Sequence, residues 1–170
     1  MPVSHSTLSP TAVAAQLKTA ESLCLRRGKR LTPIRRKVLE LLLHQRRSLK
    51  AYELLDEIRQ IHPGAVPPTV YRALEFLVDQ GLIHRLDAVN AWAACTDAAG
   101  KPHDLLIICT QCGAVAELSD PVMSRQLADK VATAGFVLTG HETELRALCK
   151  RCHSRLEITR SDAINRTYAT

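Results

Sequence analysis

The sequence predicts an α+β chain: four helices closed by a hairpin, then a small α/β unit pinned together by four cysteines. Three observations predict it. Apolar residues recur at helical spacing in four successive segments before Gly81. The stretch "LIHRLDAVNAWAAC" then places two short apolar runs on either side of an Asp-Ala-Val-Asn connection, the pattern of a two-stranded hairpin. Beyond Cys95 the texture turns mixed, and two C-x-x-C pairs, Cys109 with Cys112 and Cys149 with Cys152, follow strand-like segments. The change divides the chain into expected domains at residues 1–90 and 91–170.

The first helix is expected in "SPTAVAAQLKTAESLCLRRG", from a Ser-Pro start to Gly28, with Val13, Leu17, Ala20 and Cys24 on its apolar face. Cys24 is read there as packing. In "LTPIRRKVLELLLHQ", Thr32 suits the N-cap and Pro33 the first helical position, and Ile34, Val38, Leu41 and Leu42 form the stripe. The third helix, in "LKAYELLDEIRQIHPG", turns Ala51, Leu54, Leu55, Ile58 and Ile61 to one side and stops at Pro63-Gly64. The fourth runs from Pro67-Pro68 to Gly81 with Val70, Leu74, Leu77 and Val78 inward. Four helices followed by a hairpin is the order of a winged helix-turn-helix domain, whose last helix enters the DNA major groove. In the second half, "LLIIC" and "GAVAEL" read as strands around the first C-x-x-C. "PVMSRQLADKVATAG" reads as a helix, and "FVLTGHETELRALC" alternates like a strand running to the second pair and a polar tail.

Composition bounds the function. Hydrophobic residues make up 46% of the 170, enough for a packed core. No apolar run approaches the ~20 residues of a membrane helix, and the start lacks a basic segment followed by an apolar one. A cytoplasmic protein with no membrane partner is expected. In that compartment six cysteines point to metal or redox chemistry rather than disulfides. The net charge of +6 is unevenly placed: residues 1–90 hold 14 Lys and Arg against 8 Asp and Glu, and residues 91–170 hold 9 of each. A basic half suits a polyanion, although a charge of this size is also what an ordinary solvated surface carries.

Cys109, Cys112, Cys149 and Cys152 can present four thiolates at the corners of a tetrahedron, which suits zinc at Zn–S distances of ~2.3 Å. Such a site has no open position and is structural. A redox pair would call for one C-x-x-C in a thioredoxin-like βαβ setting, which is absent. Cys95 is left over, and a lone cysteine is ordinarily a small buried hydrophobe. With His84, His103 and Glu117 it would complete a second tetrahedral set drawn from the hairpin, the polar link and the second domain. On spacing alone, scattered His and Glu remain an equal reading.

On the fourth helix, Thr69, Tyr71 and Arg72 lie in the first turns, where base edges and phosphates are met. Arg35 and Arg36, the stretch Arg26, Arg27, Lys29 and Arg30, and Tyr52 suit phosphate contact. Asp56 and Arg59 could pair between neighbouring dimers. Each arginine taken singly could equally be a solvated side chain.

With "LTPIRRKVLELL", "PPTVYRALEFLVDQGLIHRL", "CTQCGAV" and the closing C-x-x-C, residues from about 10 to 155 resemble the Fur family of metal-dependent transcriptional regulators, and most closely its zinc-sensing branch. The resemblance implies a homodimer with a winged-helix DNA-binding domain and an α/β dimerisation domain on each chain. It implies structural zinc on Cys109, Cys112, Cys149 and Cys152, and a regulatory zinc on His84, Cys95, His103 and Glu117, two ions per chain. It makes Tyr71 and Arg72 the foremost base contacts, on palindromic, AT-rich operator DNA bound by one or two dimers. His141 falls where the family often has another ligand, and could join Glu117 or Asp104 in a weaker site. Repression of zinc uptake genes when zinc is replete is the implied output, with the DNA-binding halves turning on residues 86–103 when the regulatory metal leaves. Relatives sensing iron, manganese or peroxide are the alternative; "KPHDLLIIC" has Leu106 where iron sensors often carry a second His. An enzyme acting on a small-molecule substrate is not expected, since no H-E-x-x-H or similar open metal site occurs. A zinc ribbon that binds a protein is the remaining class.

Overall fold

A computed structural model describes residues 8–96, 104–139 and 142–156. Helices α1 (Pro10–Arg26), α2 (Pro33–Gln45), α3 (Ala51–Ile61) and α4 (Pro67–Asp79) are followed by strands β1 (Ile83–Leu86) and β2 (Ala91–Ala94). Local chemistry sets these bounds. Ser9 accepts the Ala12 N–H at 3.2 Å to cap α1, and Pro10 occupies the first turn where no N–H is needed. Thr32 and Pro33 stand at the start of α2 as expected, but the Thr32 side chain makes no capping hydrogen bond. The Glu53 carboxylate instead reaches back to the Lys50 N–H at 2.8 Å and to Arg47 Nη2 at 2.9 Å, fixing the entry to α3. Gly81, at φ +67°, turns the chain out of α4 into β1.

The four apolar stripes converge. Val38, Leu42, Leu54, Ile58, Leu74 and Leu77 are buried in one core, and Cys24 is fully buried within it, as packing requires. The segment between α2 and α3 adds a strand-like bridge that the sequence pattern did not reveal. Leu49 and Trp92 exchange both backbone hydrogen bonds at 2.8 Å, which ties the hairpin to the helices. Strand β2 lies beyond residue 90 and pairs with β1 in the register Ile83↔Ala94 to Leu86↔Ala91, around a short 3-10 turn at Asp87–Val89.

The second half holds strands β3 (Leu105–Cys109), β4 (Val115–Leu118) and β5 (Thr143–Ala147), with helix α5 (Pro121–Thr133) between β4 and β5. The sheet order is β4-β3-β5, antiparallel on one side and parallel on the other. The alternation in "FVLTGHETELRALC" overstates the strand: β5 covers only Thr143–Ala147, and residues 136–139 form no regular element. The second C-x-x-C also leads into more than a polar tail, because residues 150–156 are helical.

The hairpin packs on this sheet. Leu86 and Ala93 are buried against Leu106 and Ile108. Residues 86–94, expected to form part of a hinge, are thus a hydrogen-bonded hairpin with an apolar seat. No described helix is long and apolar enough to cross a membrane.

Glu53 supplies a test of the α3 entry. Burial alone would raise its pKa, but the Lys50 N–H and the Arg47 guanidinium outweigh this and lower it. A depressed folded-state pKa gives stability that is present at neutral pH and is lost as pH falls into the carboxylate range. Glu53→Gln should therefore cost about 0.5–1 kcal/mol at neutral pH, and thermal melts should show that difference shrink as pH falls below the ordinary carboxylate range.

Candidate metal centres and nucleic-acid interface

The first C-x-x-C turns between β3 and β4, and the second begins just after β5. The parallel register brings them together, since Cys109 lies opposite Ala147 and the Thr110 N–H donates to Ala147 O at 3.0 Å. The four Sγ atoms of Cys109, Cys112, Cys149 and Cys152 lie within 4.8 Å of one another, and Cys112 Sγ is 3.8 Å from Cys149 Sγ. A zinc tetrahedron with ~2.3 Å bonds has edges of about 3.8 Å, so the donor set fits that ion. The Cys149 N–H donates to Cys109 Sγ at 3.4 Å. Burial would raise the Cys109 pKa, but backbone N–H groups of Cys149, Cys112 and Gln111 overcome it and lower the value to about 6. Its neighbours then keep their protons: Cys112 is raised, chiefly by burial, and Cys152 is pushed up to about 12, chiefly by its hydrogen bond with Cys149. A bound cation would convert all four to thiolates and release those protons.

The knuckle also touches the helical half. Ser48 N–H donates to Gly113 O at 2.7 Å, and Arg47 bridges to Ala114. Gly113 sits at φ +71°, and a Cβ there would lie 2.8 Å from Ser48 Oγ.

A second cluster forms where hairpin meets sheet. His84 from β1, Cys95 just after β2 and Glu117 from β4 bring their donor atoms within 4.8 Å of one another. His84 Nε2 is 3.4 Å from Glu117 Oε1, and Cys95 Sγ is 4.0 Å from Glu117 Oε2. Thr96 N–H and Oγ1 donate to the same carboxylate at 2.9 and 2.7 Å. On the other side of the ring, Glu142 Oε1 is 2.7 Å from His84 Nδ1. Burial alone would lower the His84 pKa, but hydrogen bonds with Cys95, Glu117 and Glu142 raise it to about 11. Glu117 is lowered by His84 and Thr96 against the opposing effect of its own burial. One sulfur, one imidazole and one carboxylate at these separations fit three corners of a zinc tetrahedron. His103, expected as the fourth, and His141 lie outside the described residues. The residue pattern singled out neither Thr96 nor Glu142. The alternation of Glu142 and Glu144 in "HETEL", two acids on one side of an extended chain, was the available signal.

Three of the expected DNA-reading residues, Thr69, Arg72 and Arg35, share one cleft. Tyr71 and Arg72 are exposed on α4, and Arg72 and Thr69 line a cleft of about 200 Å³ with Thr32, Ile34 and Arg35 of the α2 start. Tyr71 meets the Trp92 ring edge-on at 5.9 Å, so the hairpin steadies it, a role for Trp92 that the sequence pattern did not suggest. Tyr52 is exposed at the start of α3, and Arg30 is exposed before α2. Other arginines are engaged within the chain. Arg35 lies 3.5 Å above the Phe76 ring and donates to Arg30 O, Arg36 pairs with Glu21 at 2.7 Å, and Arg27 donates to Gln80 O at 2.7 Å. Asp56 and Arg59 face each other at 4.0 Å on one helix.

A winged-helix half joined to a small sheet, with one donor cluster at the end of the sheet and a second where hairpin meets sheet, is the architecture of a metal-responsive DNA-binding regulator. Residues 26–146 match the model of the Ferric uptake regulator family, and the chain belongs to that family. It is 37% identical over 146 residues to the zinc uptake regulation protein of Escherichia coli K12, covering 85% of each chain. It is 31% identical to the ferric uptake regulation protein of Campylobacter jejuni over 75% of this chain and 82% of that one. Among solved structures it is similar to a zinc uptake regulator complexed with zinc and DNA, with a TM-score of 0.75 and 36% identity over 85% of this chain and 97% of that one. It also matches holo XcZur, with a TM-score of 0.69 and 38% identity over 82% and 98%. The family is one of transcriptional regulators.

Gly113→Ala should destabilise the zinc-loaded protein by about 1–2 kcal/mol from the left-handed backbone alone, read as a lowered thermal midpoint. The displaced Ser48 should add to that loss.

Proposed function

We propose that this chain is a zinc-responsive, sequence-specific DNA-binding regulator that represses zinc uptake genes when zinc is plentiful, acting as a homodimer. The observation that carries the reading is the His84–Cys95–Glu117 cluster, whose donors come from both sides of the contact between hairpin and sheet. An ion held there ties the orientation of α4 to metal supply. The relatives named for zinc uptake regulation, and the similar structure described as complexed with zinc and DNA, support zinc as the metal and DNA as the partner.

In this reading the DNA-binding unit extends through β2, and the remainder forms the dimerisation and metal-binding domain. Cys109, Cys112, Cys149 and Cys152 hold one zinc as a closed structural staple. His84, Cys95 and Glu117, with His103 as fourth donor, hold the regulatory zinc, giving two ions per chain. A sulfur-containing, four-donor set suits zinc better than ferrous iron. Tyr71 and Arg72 meet base edges, with Thr69, Arg30, Arg35, Arg36 and Tyr52 along the backbone of a palindromic operator. Val122, Met123, Phe136, Val137 and Leu145 are exposed on the second half and suit burial against a second copy of the chain. The regulatory zinc narrows the orientations of the two DNA-binding units, and DNA affinity rises by population shift.

The test is zinc content after dialysis against a moderate chelator, then during readdition, while following binding to a duplex selected from a random library by the zinc-loaded protein. One zinc retained per chain, with a second restoring DNA binding, supports the reading. One zinc in total, with DNA binding indifferent to more, or unchanged zinc dependence in Cys95→Ser, overturns it. In the same assay Arg72→Ala should weaken binding to the selected duplex by ~1–3 kcal/mol while both zinc ions stay bound.

A further inference from the structure

Strand β1 carries His84 with a carboxylate at each ring nitrogen: Glu117 at 3.4 Å from Nε2 and Glu142 at 2.7 Å from Nδ1. Glu117 belongs to the three clustered donors, whereas Glu142 does not. Glu142 stands immediately before β5, and Glu144, two residues on, lies on the same side of the extended chain. Glu144 accepts the N–H groups of Asp87 and Ala88 at 2.7 and 2.8 Å. One short segment of the second half thus grips β1 at its imidazole and the turn after β1 at its backbone. β5 ends at Ala147, two residues before Cys149, so this grip and the four-cysteine cluster lie at opposite ends of one strand.

A neutral imidazole has one protonated nitrogen and one with a free lone pair. Whichever nitrogen is held by an acceptor keeps the proton, and the other becomes the donor to a metal. The nearer carboxylate is at Nδ1, while Nε2 lies 3.4 Å from Glu117, one of the clustered donors. We propose that Glu142 is a positioning residue for the regulatory metal: it holds the Nδ1–H of His84 and thereby directs the Nε2 lone pair at the space shared with Cys95 and Glu117. It fixes both the tautomer and the ring plane, and as an anion it strengthens the imidazole as a donor. The proposal rests on the two-site reading above.

The test is competition between a chromophoric chelator and the protein for the second zinc, in the full chain with the retained zinc as internal control. Glu142→Ala should weaken the second site by roughly 10–100-fold and leave the retained zinc in place. Glu142→Gln, whose amide oxygen still accepts the Nδ1–H, should recover a large part of that loss. Ring nitrogen NMR of the zinc-loaded protein should show His84 protonated at Nδ1 and metal-bound through Nε2, with the Nδ1–H signal weakened by fast exchange in Glu142→Ala. Unchanged second-site affinity in Glu142→Ala, or His84 bound through Nδ1, would overturn the proposal. Cys95→Ser separates the two failures. If it weakens the second site while Glu142→Ala does not, only the role of Glu142 falls. If neither variant has an effect, the two-site reading falls with it.

Discussion

The buried imidazole of His84 is the point on which the two halves of this molecule depend. It sits between two carboxylates from the sheet half, in a strand that belongs to the helical half. Such an arrangement is costly to bury without compensation, and here the charges and hydrogen bonds compensate one another. The donors of His84, Cys95 and Glu117 lie close enough together to hold a cation. In the proposed reading, metal supply and the seating of the hairpin are expressed through the same side chains.

Around that point the contacts are graded. Leu86 and Ala93 pack on Leu106 and Ile108 and provide an apolar seat with little directional preference. Glu144 at the hairpin turn and Gly113 beneath Ser48 add directional hydrogen bonds at two separated places. The four-cysteine cluster lies at the far end of β3 and β5, where in the proposed reading its zinc holds that sheet in register. Stapling the sheet at one end makes the carboxylates of β4 and the β5 segment a fixed wall against which the hairpin docks. On the other face of the hairpin, Trp92 pairs with Leu49 and steadies Tyr71, so the docked hairpin and helix α4 share one support.

Much of this was legible in the sequence because it is local. The four helices announce themselves through apolar spacing, Pro33 and Pro67 at helix starts, and Gly28 and Gly81 at exits. The two C-x-x-C turns are short and specific, and His84, Cys95 and Glu117 could be nominated by ligand chemistry. What was not legible depends on long-range register. Glu142 meets His84 only because β5 lies parallel to β3, and Ser48 meets Gly113 only because the α2–α3 segment crosses the knuckle. Arg35 and Arg36 read in sequence as phosphate contacts or solvated side chains, and their partners Phe76 and Glu21, distant along the chain, were not legible there. The strand expected through Phe136–Leu138 failed because alternation is a weak signal in a segment whose side chains stay exposed.

The central claim is that one metal site and one DNA-binding surface are thermodynamically coupled through the docked hairpin. Linkage requires that coupling to be reciprocal. The most direct measurement is the zinc affinity of the second site with and without a saturating selected duplex. The account predicts that DNA tightens zinc binding by the same factor by which zinc tightens DNA binding, and that the factor collapses in His84→Ala. A second-site zinc affinity indifferent to bound DNA would contradict it.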